Sequence, residues 1–184
     1  MRQVIVTEWM SLDGIFDASS MEQWFNPYHS DARGKYIQDT IQNCEIMLYG
    51  RITYEMLFPY WSSLKNNEMG VADKLNQVKK MVVSTTLEQA SWENSEIIKE
   101  DVAKRIAALK RQTGGNILVQ GSATLVKSLL EAGVVDELKL LVQPHIMGSG
   151  SRLFFYTSNE SLQLNHSQQL DKGVLALSYR PVQK

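Results

Sequence analysis

Residues 116–150 read NILVQGSATLVKSLLEAGVVDELKLLVQPHIMGSG, and their pattern decides the fold class. Ile117, Leu118 and Val119 form an apolar run, which breaks at Gly121 and Ser122. Leu125, Val126, Leu129 and Leu130 then recur at helical spacing as far as Gly133. A second apolar run, Leu138, Leu140, Leu141 and Val142, ends in Pro144 and in the Gly148–Gly150 triplet. The order is strand, tight turn, helix, strand, loop. A strand-to-helix turn made of Gly and Ser leaves backbone N–H groups unpaired at a helix N-terminus. The helix dipole adds partial positive charge there, so the site favours phosphate.

The flanking sequence repeats this grammar. Val4, Ile5 and Val6 read as a buried strand running into the Asp13-Gly14 turn signal. Ile15 to Pro27 has no period but carries Phe16, Met21, Trp24 and Phe25, which makes it either a lid over a site or a core wrap. Ser30 or Asp31 caps an expected helix from about Ala32 to Gln42. Ile46 to Tyr49 is the next strand, followed by Gly50-Arg51-Ile52-Thr53 and a short helix expected to run from Thr53 to about Pro59. Loop is expected from Tyr60 to Asn67 and a short helix from Ala72 to Val78. Strands follow at Met81–Val83, ending in Ser84-Thr85-Thr86, and at Ile97-Ile98. Asp101 opens an amphipathic helix that Gly114-Gly115 ends. Beyond the central unit, two alternating runs around Asp171-Lys172-Gly173 predict a β-hairpin.

Strands alternating with helices, closed by a hairpin, predict an α/β fold with a mostly parallel mixed sheet and an antiparallel edge. Ligands on such sheets sit beyond the carboxyl ends of the strands. The loops at Ser11–Gly14, Gly50–Thr53, Ser84–Thr86 and Gly121–Thr124 all follow strands, so they are expected along one rim. The 184 residues are expected to form one domain, 1–184. A net charge of −1 gives no sign of nucleic-acid binding, and no apolar run approaches the ~20 residues that span a bilayer. Cys44 is the sole cysteine, so no internal disulfide forms. The N-terminal residues do not read as a signal peptide, and the expected compartment is the cytoplasm. His29, His145 and His166 lack metal-ligand spacing, so no metal is expected.

Five pieces together resemble the dihydrofolate reductase-like superfamily. They resemble most closely the reductase half of the bifunctional riboflavin-biosynthesis deaminase-reductase. They are Ser11-Leu12-Asp13-Gly14, Gly50-Arg51-Ile52-Thr53-Tyr54-Glu55, Ser84-Thr85-Thr86, Gly121-Ser122-Ala123-Thr124-Leu125, and Pro144 through Gly150. The resemblance spans nearly the whole chain, although the deaminase half, with its zinc-binding His-x-Glu and Pro-Cys-x-x-Cys, is absent. It implies the three-layer dihydrofolate reductase-like fold, NADPH as cofactor and a homodimer. It also implies hydride transfer to a small pterin-like or ribosylaminopyrimidine-like heterocycle.

Residue by residue, the resemblance puts Gly121, Ser122, Ala123 and Thr124 on the pyrophosphate. Arg51, Thr53, Ser84, Thr85 and Thr86 fall round the 2′-phosphate and adenosine ribose, and Gly50 belongs to the same cofactor-binding set. Ser11, Asp13, Trp24 and Gly148 fall near nicotinamide and substrate, and Asp31 near the position of the folate-binding acid. The residues on their own leave plainer readings open. Gly121-Ser122 also suits a helix N-cap, Arg51 a surface ion pair, Ser84–Thr86 a strand-end turn and Asp13 a turn-shaping side chain. Asp31 suits a helix cap, His145 a hydrogen-bonded strand histidine, and Trp9, Trp24 and Trp61 core filling. A non-catalytic NADPH-binding sensor or dimeric scaffold is the alternative to an enzyme.

Overall fold

The computed structural model describes residues 1–155 and 159–182. The strands are β1 (Val4–Ser11), β2 (Cys44–Gly50), β3 (Lys79–Val83), β4 (Ser95–Ile98), β5 (Asn116–Val119), β6 (Glu137–Gln143), β7 (Leu162–Gln169) and β8 (Leu175–Pro181). They form one sheet in the order β4-β3-β2-β5-β1-β6-β8-β7. From β4 to β6 every pairing is parallel, and β8 and β7 add antiparallel to that edge. The helices are α1 (Met21–Trp24), α2 (Asp31–Gln42), α3 (Arg51–Ser63), α4 (Ala72–Gln77), α5 (Val102–Lys110) and α6 (Ala123–Glu131).

Strand alternation sorts the core into two layers. Val4, Val6, Ile46, Leu48, Ile117 and Val119 pack with Ile106 of α5 and with Leu125, Val126 and Leu129 of α6. Ile5, Met47, Tyr49, Val82 and Leu118 face the other way, against Ile41 of α2, Tyr54 of α3 and Leu75 of α4. With helices on both faces, the central strands carry the unbroken apolar runs Val4–Val6, Ile46–Tyr49 and Ile117–Val119. Burying each large side chain of α6 contributes about 1.5–3 kcal/mol, which ties that helix firmly beneath the β5 turn. The result is the three-layer, mostly parallel mixed sheet with a C-terminal antiparallel hairpin.

Two local expectations change. α3 begins at Arg51 and continues through Pro59 to Ser63, so the segment from Tyr60 is helix where loop was expected. Pro59 removes one helical hydrogen bond, but it and Glu55, whose carbonyl is freed, lie on the exposed side. The opposite side is held by Tyr54 and Phe58, whose rings stack 6.0 Å apart, and by Leu57 and Trp61 against the core. Every residue of β7 is exposed, Leu162, Leu164 and His166 included, so the alternation of the sequence there separates no buried face.

Gly133 ends α6 with φ of 63°, its N–H on the Leu130 carbonyl at 2.9 Å. A Cβ there meets open space. The Gly133→Ala variant therefore carries only the left-handed backbone cost of ~1–2 kcal/mol. Lower entropy of the unfolded chain offsets ~0.4–1 kcal/mol of that. Urea denaturation should show a net loss near 1 kcal/mol with an unchanged m-value; a loss of several kcal/mol would mean that the site is packed.

Candidate active site

β2 and β5 are neighbours, so the turns at their carboxyl ends lie side by side. Gly50 N–H donates to the Gly121 carbonyl at 2.9 Å. The contact is close enough that a Cβ on Gly50 would fall 2.6 Å from Ser122 Oγ, and one on Gly121 would collide with Thr53 Oγ1. Gly121 also sits at φ 57°, where L-residues are strained, and the Gly121–Ser122 peptide is cis. Glycine is thus set by space at both positions, and by backbone conformation as well at Gly121. Ser122 caps α6, its Oγ accepting from Leu125 N–H, whereas among the described residues the Ala123 and Thr124 amides meet no protein acceptor. α3 starts at the same place with no side-chain cap after Gly50. Two helix N-termini therefore converge on one patch of surface.

That patch is the middle of a continuous groove. On one side is a cavity of about 440 Å³ lined by Gly50, Arg51, Ile52, Ser84, Thr85, Thr86, Ser122 and Thr124. It adjoins an open cavity of about 680 Å³ lined by Phe16 to Ser19, Ile52, Thr53, Met56, Ser122 to Thr124, and Arg152. This in turn shares Phe16, Ala18, Thr53 and Met56 with an inner cavity of about 120 Å³, walled by Glu8, Trp9, Met21, Trp24, Gln120 and Gly121. The exposed apolar side chains of Ile52 and Met56 flank the opening. Every residue assigned from sequence to the cofactor, namely Gly50, Arg51, Thr53, Ser84–Thr86 and Gly121–Thr124, lines this groove.

Several of these residues also take their plainer roles. Arg51 pairs with Glu55 at 2.6 Å, and both are well exposed. Ser84 Oγ accepts from the Thr86 and Leu87 amides and holds its own turn.

Of the residues assigned to substrate, Trp24 alone lines one of these three cavities; it is buried, with its indole N–H on the Asp17 carbonyl. Ser11 is fully buried and bonds Asp13 Oδ1 at 2.6 Å. Asp13 accepts the Met147 and Gly148 amides at 3.1 and 2.8 Å, so it ties the turn after β1 to the loop after β6. Gly148 is exposed at φ 77°, and His145 accepts or donates at Tyr28 Oη over 3.5 Å. Asp31 is exposed in the first turn of α2, where Ser30 is the cap, and it lines none of the three cavities. That helix instead sends in Arg33, buried, with its guanidinium 3.9 Å from the Phe25 ring centroid and donating to the Phe25 carbonyl at 2.6 Å. Phe25 then stacks on Trp9 at 4.5 Å. The aromatic stretch from Phe16 is thus both wall and core.

The acid that does face the inner cavity is Glu8, which the sequence reading missed. It lies on β1 and is 5% exposed, and its Oε1 accepts Gly121 N–H at 2.6 Å. Burial pushes its carboxyl up to about 8, against a smaller downward pull from that N–H. The available signal was a lone Glu in an apolar strand. Among the described residues no three His, Cys, Asp or Glu side chains gather as a metal cluster, and no helix is long and apolar enough to cross a membrane.

A mostly parallel sheet with helices on both faces and a hairpin at one edge is a dihydrofolate reductase-like fold, here with a groove across its strand ends. The chain belongs to the RibD C-terminal domain family, whose model matches residues 2–176. The Bacillus subtilis (strain 168) protein YyaP is 25% identical over 97% of this chain and 94% of its own. A pyrimidine reductase-like protein from Corynebacterium diphtheriae superposes with a TM-score of 0.73 at 14% identity, over 100% of this chain and 93% of that one. Dihydrofolate reductase from Enterococcus faecalis, complexed with NADP(H), gives a TM-score of 0.65 at 13% identity, over 98% and 97%.

The hydrogen bonds to Asp13 from Ser11, Met147 and Gly148 hold its carboxyl down at about 2, below the ordinary 3.8. A depressed acid adds stability that is complete above its unfolded value and fades as pH falls through its folded one. Acid titration of wild type and Asp13→Asn should show wild type the more stable above pH ~4, with the gap closing towards pH ~2. A gap that persists below pH 2 would assign Asp13's contribution to packing.

Proposed function

We propose that the chain is an NADPH-dependent reductase that transfers hydride to a small heterocyclic substrate of pterin or ribosylaminopyrimidine type. The observation that carries this reading is the meeting of two helix N-termini beside Gly50 and Gly121, that of α3 without a side-chain cap and that of α6 with its Ala123 and Thr124 amides still free, in the middle of the groove. The fit to the cofactor rests on the missing Cβ atoms at those glycines, on the free Ala123 and Thr124 amides, and on the hydroxyls of Thr53 and Thr124. Amides and hydroxyls of this kind suit a pyrophosphate. Arg51 with Thr85 and Thr86 would hold a phosphate monoester at the 440 Å³ end, Arg51 exchanging Glu55 for it. No acidic residue in Ser84–Thr86 competes for a ribose hydroxyl. When bound, the cofactor supplies the hydride, while the protein supplies position and field. Phe16 and Met56 line both the outer and the inner cavity and give the inner end apolar walls.

The presence of an acid in the inner cavity favours turnover over a sensor or scaffold. A homodimer belongs to the same reading. Leu162, Leu164 and Leu175 on the outer hairpin are 38–51% exposed, and a light-scattering mass twice that of the chain is the expected result.

NADPH should raise the melting temperature, since a ligand at a thousandfold excess over its Kd stabilises by about 4 kcal/mol. The absence of any shift at millimolar NADPH would remove the reading. Thr124→Glu separates binding from folding. A carboxylate in the first turn of α6 suits the helix dipole by ~0.3–1 kcal/mol, so the fold should hold. NADPH affinity should nevertheless fall at least about tenfold, the equivalent of 1.4 kcal/mol.

A further inference from the structure

We infer that Glu8 is the group that donates a hydrogen bond, and in turnover a proton, to the reducible C=O or C=N of a substrate whose reacting part is a single ring or smaller. This rests on the reductase reading above. Three observations place the carboxyl. Glu8 lines the inner cavity; its Oε1 is fixed by Gly121 N–H at 2.6 Å; and its second oxygen has no protein partner among the described residues. The turn that forms the cofactor groove therefore also orients the acid.

The surroundings keep that acid neutral. From β1 the cavity receives Trp9, and from the stretch before α2 it receives Phe16, Ala18, Met21 and Trp24. α3 contributes Thr53, Met56 and Leu57, and the turn after β5 contributes Gln120 and Gly121. None of these is charged. The charged residues Asp17, Arg152 and Arg51 line the outer cavities instead. Desolvation alone then holds the proton on Glu8 up to about pH 8. Size sets the rest of the substrate class. A dry cavity of about 150 Å³ takes benzene, so about 120 Å³ takes one small ring at most, and any larger portion projects into the open groove.

The step balances as follows. The carbon of C=X takes the hydride, the π pair moves onto X, and the Glu8 O–H bond breaks as X–H forms. Oxidation of the dihydronicotinamide matches reduction of C=X, and solvent returns a proton to the Glu8 carboxylate.

Glu8→Gln tests this. Gln keeps an oxygen for Gly121 N–H and presents an amide donor to the cavity, but it has no titrating proton. The probe is δ-valerolactam, a six-membered lactam that does not itself titrate, added to each protein saturated with NADP⁺ and followed by protein NMR shifts. Wild-type affinity should be constant below pH ~8 and fall towards tenfold per pH unit above it, because only the neutral acid donates. Glu8→Gln should bind the lactam with a flat profile. In infrared spectra the protonated-carboxyl C=O band of wild type should vanish over the same pH range and be missing from the variant. A flat wild-type profile, no lactam binding, or a carboxyl already ionised at pH 6 would overturn the role of Glu8. The NADPH melting shift, measured on both proteins, keeps the two readings apart. Its absence in wild type removes the cofactor reading, whereas its presence beside a flat lactam profile removes only Glu8.

Discussion

The bond from Gly50 N–H to the Gly121 carbonyl, with Gly121 N–H on Glu8, is the constraint on which the site depends. It locks the carboxyl ends of β2, β5 and β1 together, although those strands lie far apart in sequence. Parallel pairing makes it possible, since it brings all three strand ends to one rim. The absence of a Cβ on Gly50 and Gly121 makes it tight. With that contact in place, α3 and α6 start side by side, and helix N-termini are where backbone amides are left over for an acceptor.

Much of this was legible because it is local. Unbroken β-branched and leucine runs flanked by Gly-Ser or Gly-Arg announce strand, turn and helix within a dozen residues, and alternation announces the hairpin around Lys172. The helix through Pro59 was hidden because tertiary packing of Tyr54, Leu57, Phe58 and Trp61 outweighs one lost hydrogen bond. The role of Asp13 was half visible. A turn-shaping aspartate follows from Asp-Gly, but its hold on Met147 and Gly148 spans 134 and 135 residues and depends on the fold. Glu8 was hidden for a similar reason. A glutamate among Val4–Met10 reads as an outward strand residue until the position of β5 shows that Gly121 N–H meets it.

The two acids near the groove behave in opposite ways for one physical reason. Asp13 sits at the surface and gathers donors, so its charged form is favoured and it serves as a clasp. Glu8 has one donor and apolar walls, so its neutral form is favoured. Asp31, at an exposed helix start capped by Ser30, has neither set of partners. Chemistry that needs a proton near neutral pH is better served by the second environment than by the other two.

The groove divides its labour between backbone and side chains. Its outer part is built from amides, hydroxyls and glycines, whose positions follow from strand pairing and which tolerate little change. Its inner part is built from Phe16, Met21, Trp24 and Trp9, drawn mostly from an aperiodic segment braced by Phe25 and Arg33. Arg33 is buried and its guanidinium is held low, at about 10, by that burial, so its bond to the Phe25 carbonyl is made where water cannot compete. A segment without helical or strand period can therefore keep a fixed shape because one cation clamps it from α2. It follows that the shape of the inner cavity can change through residues 16–24 while the outer groove, carried by other strands, stays as it is.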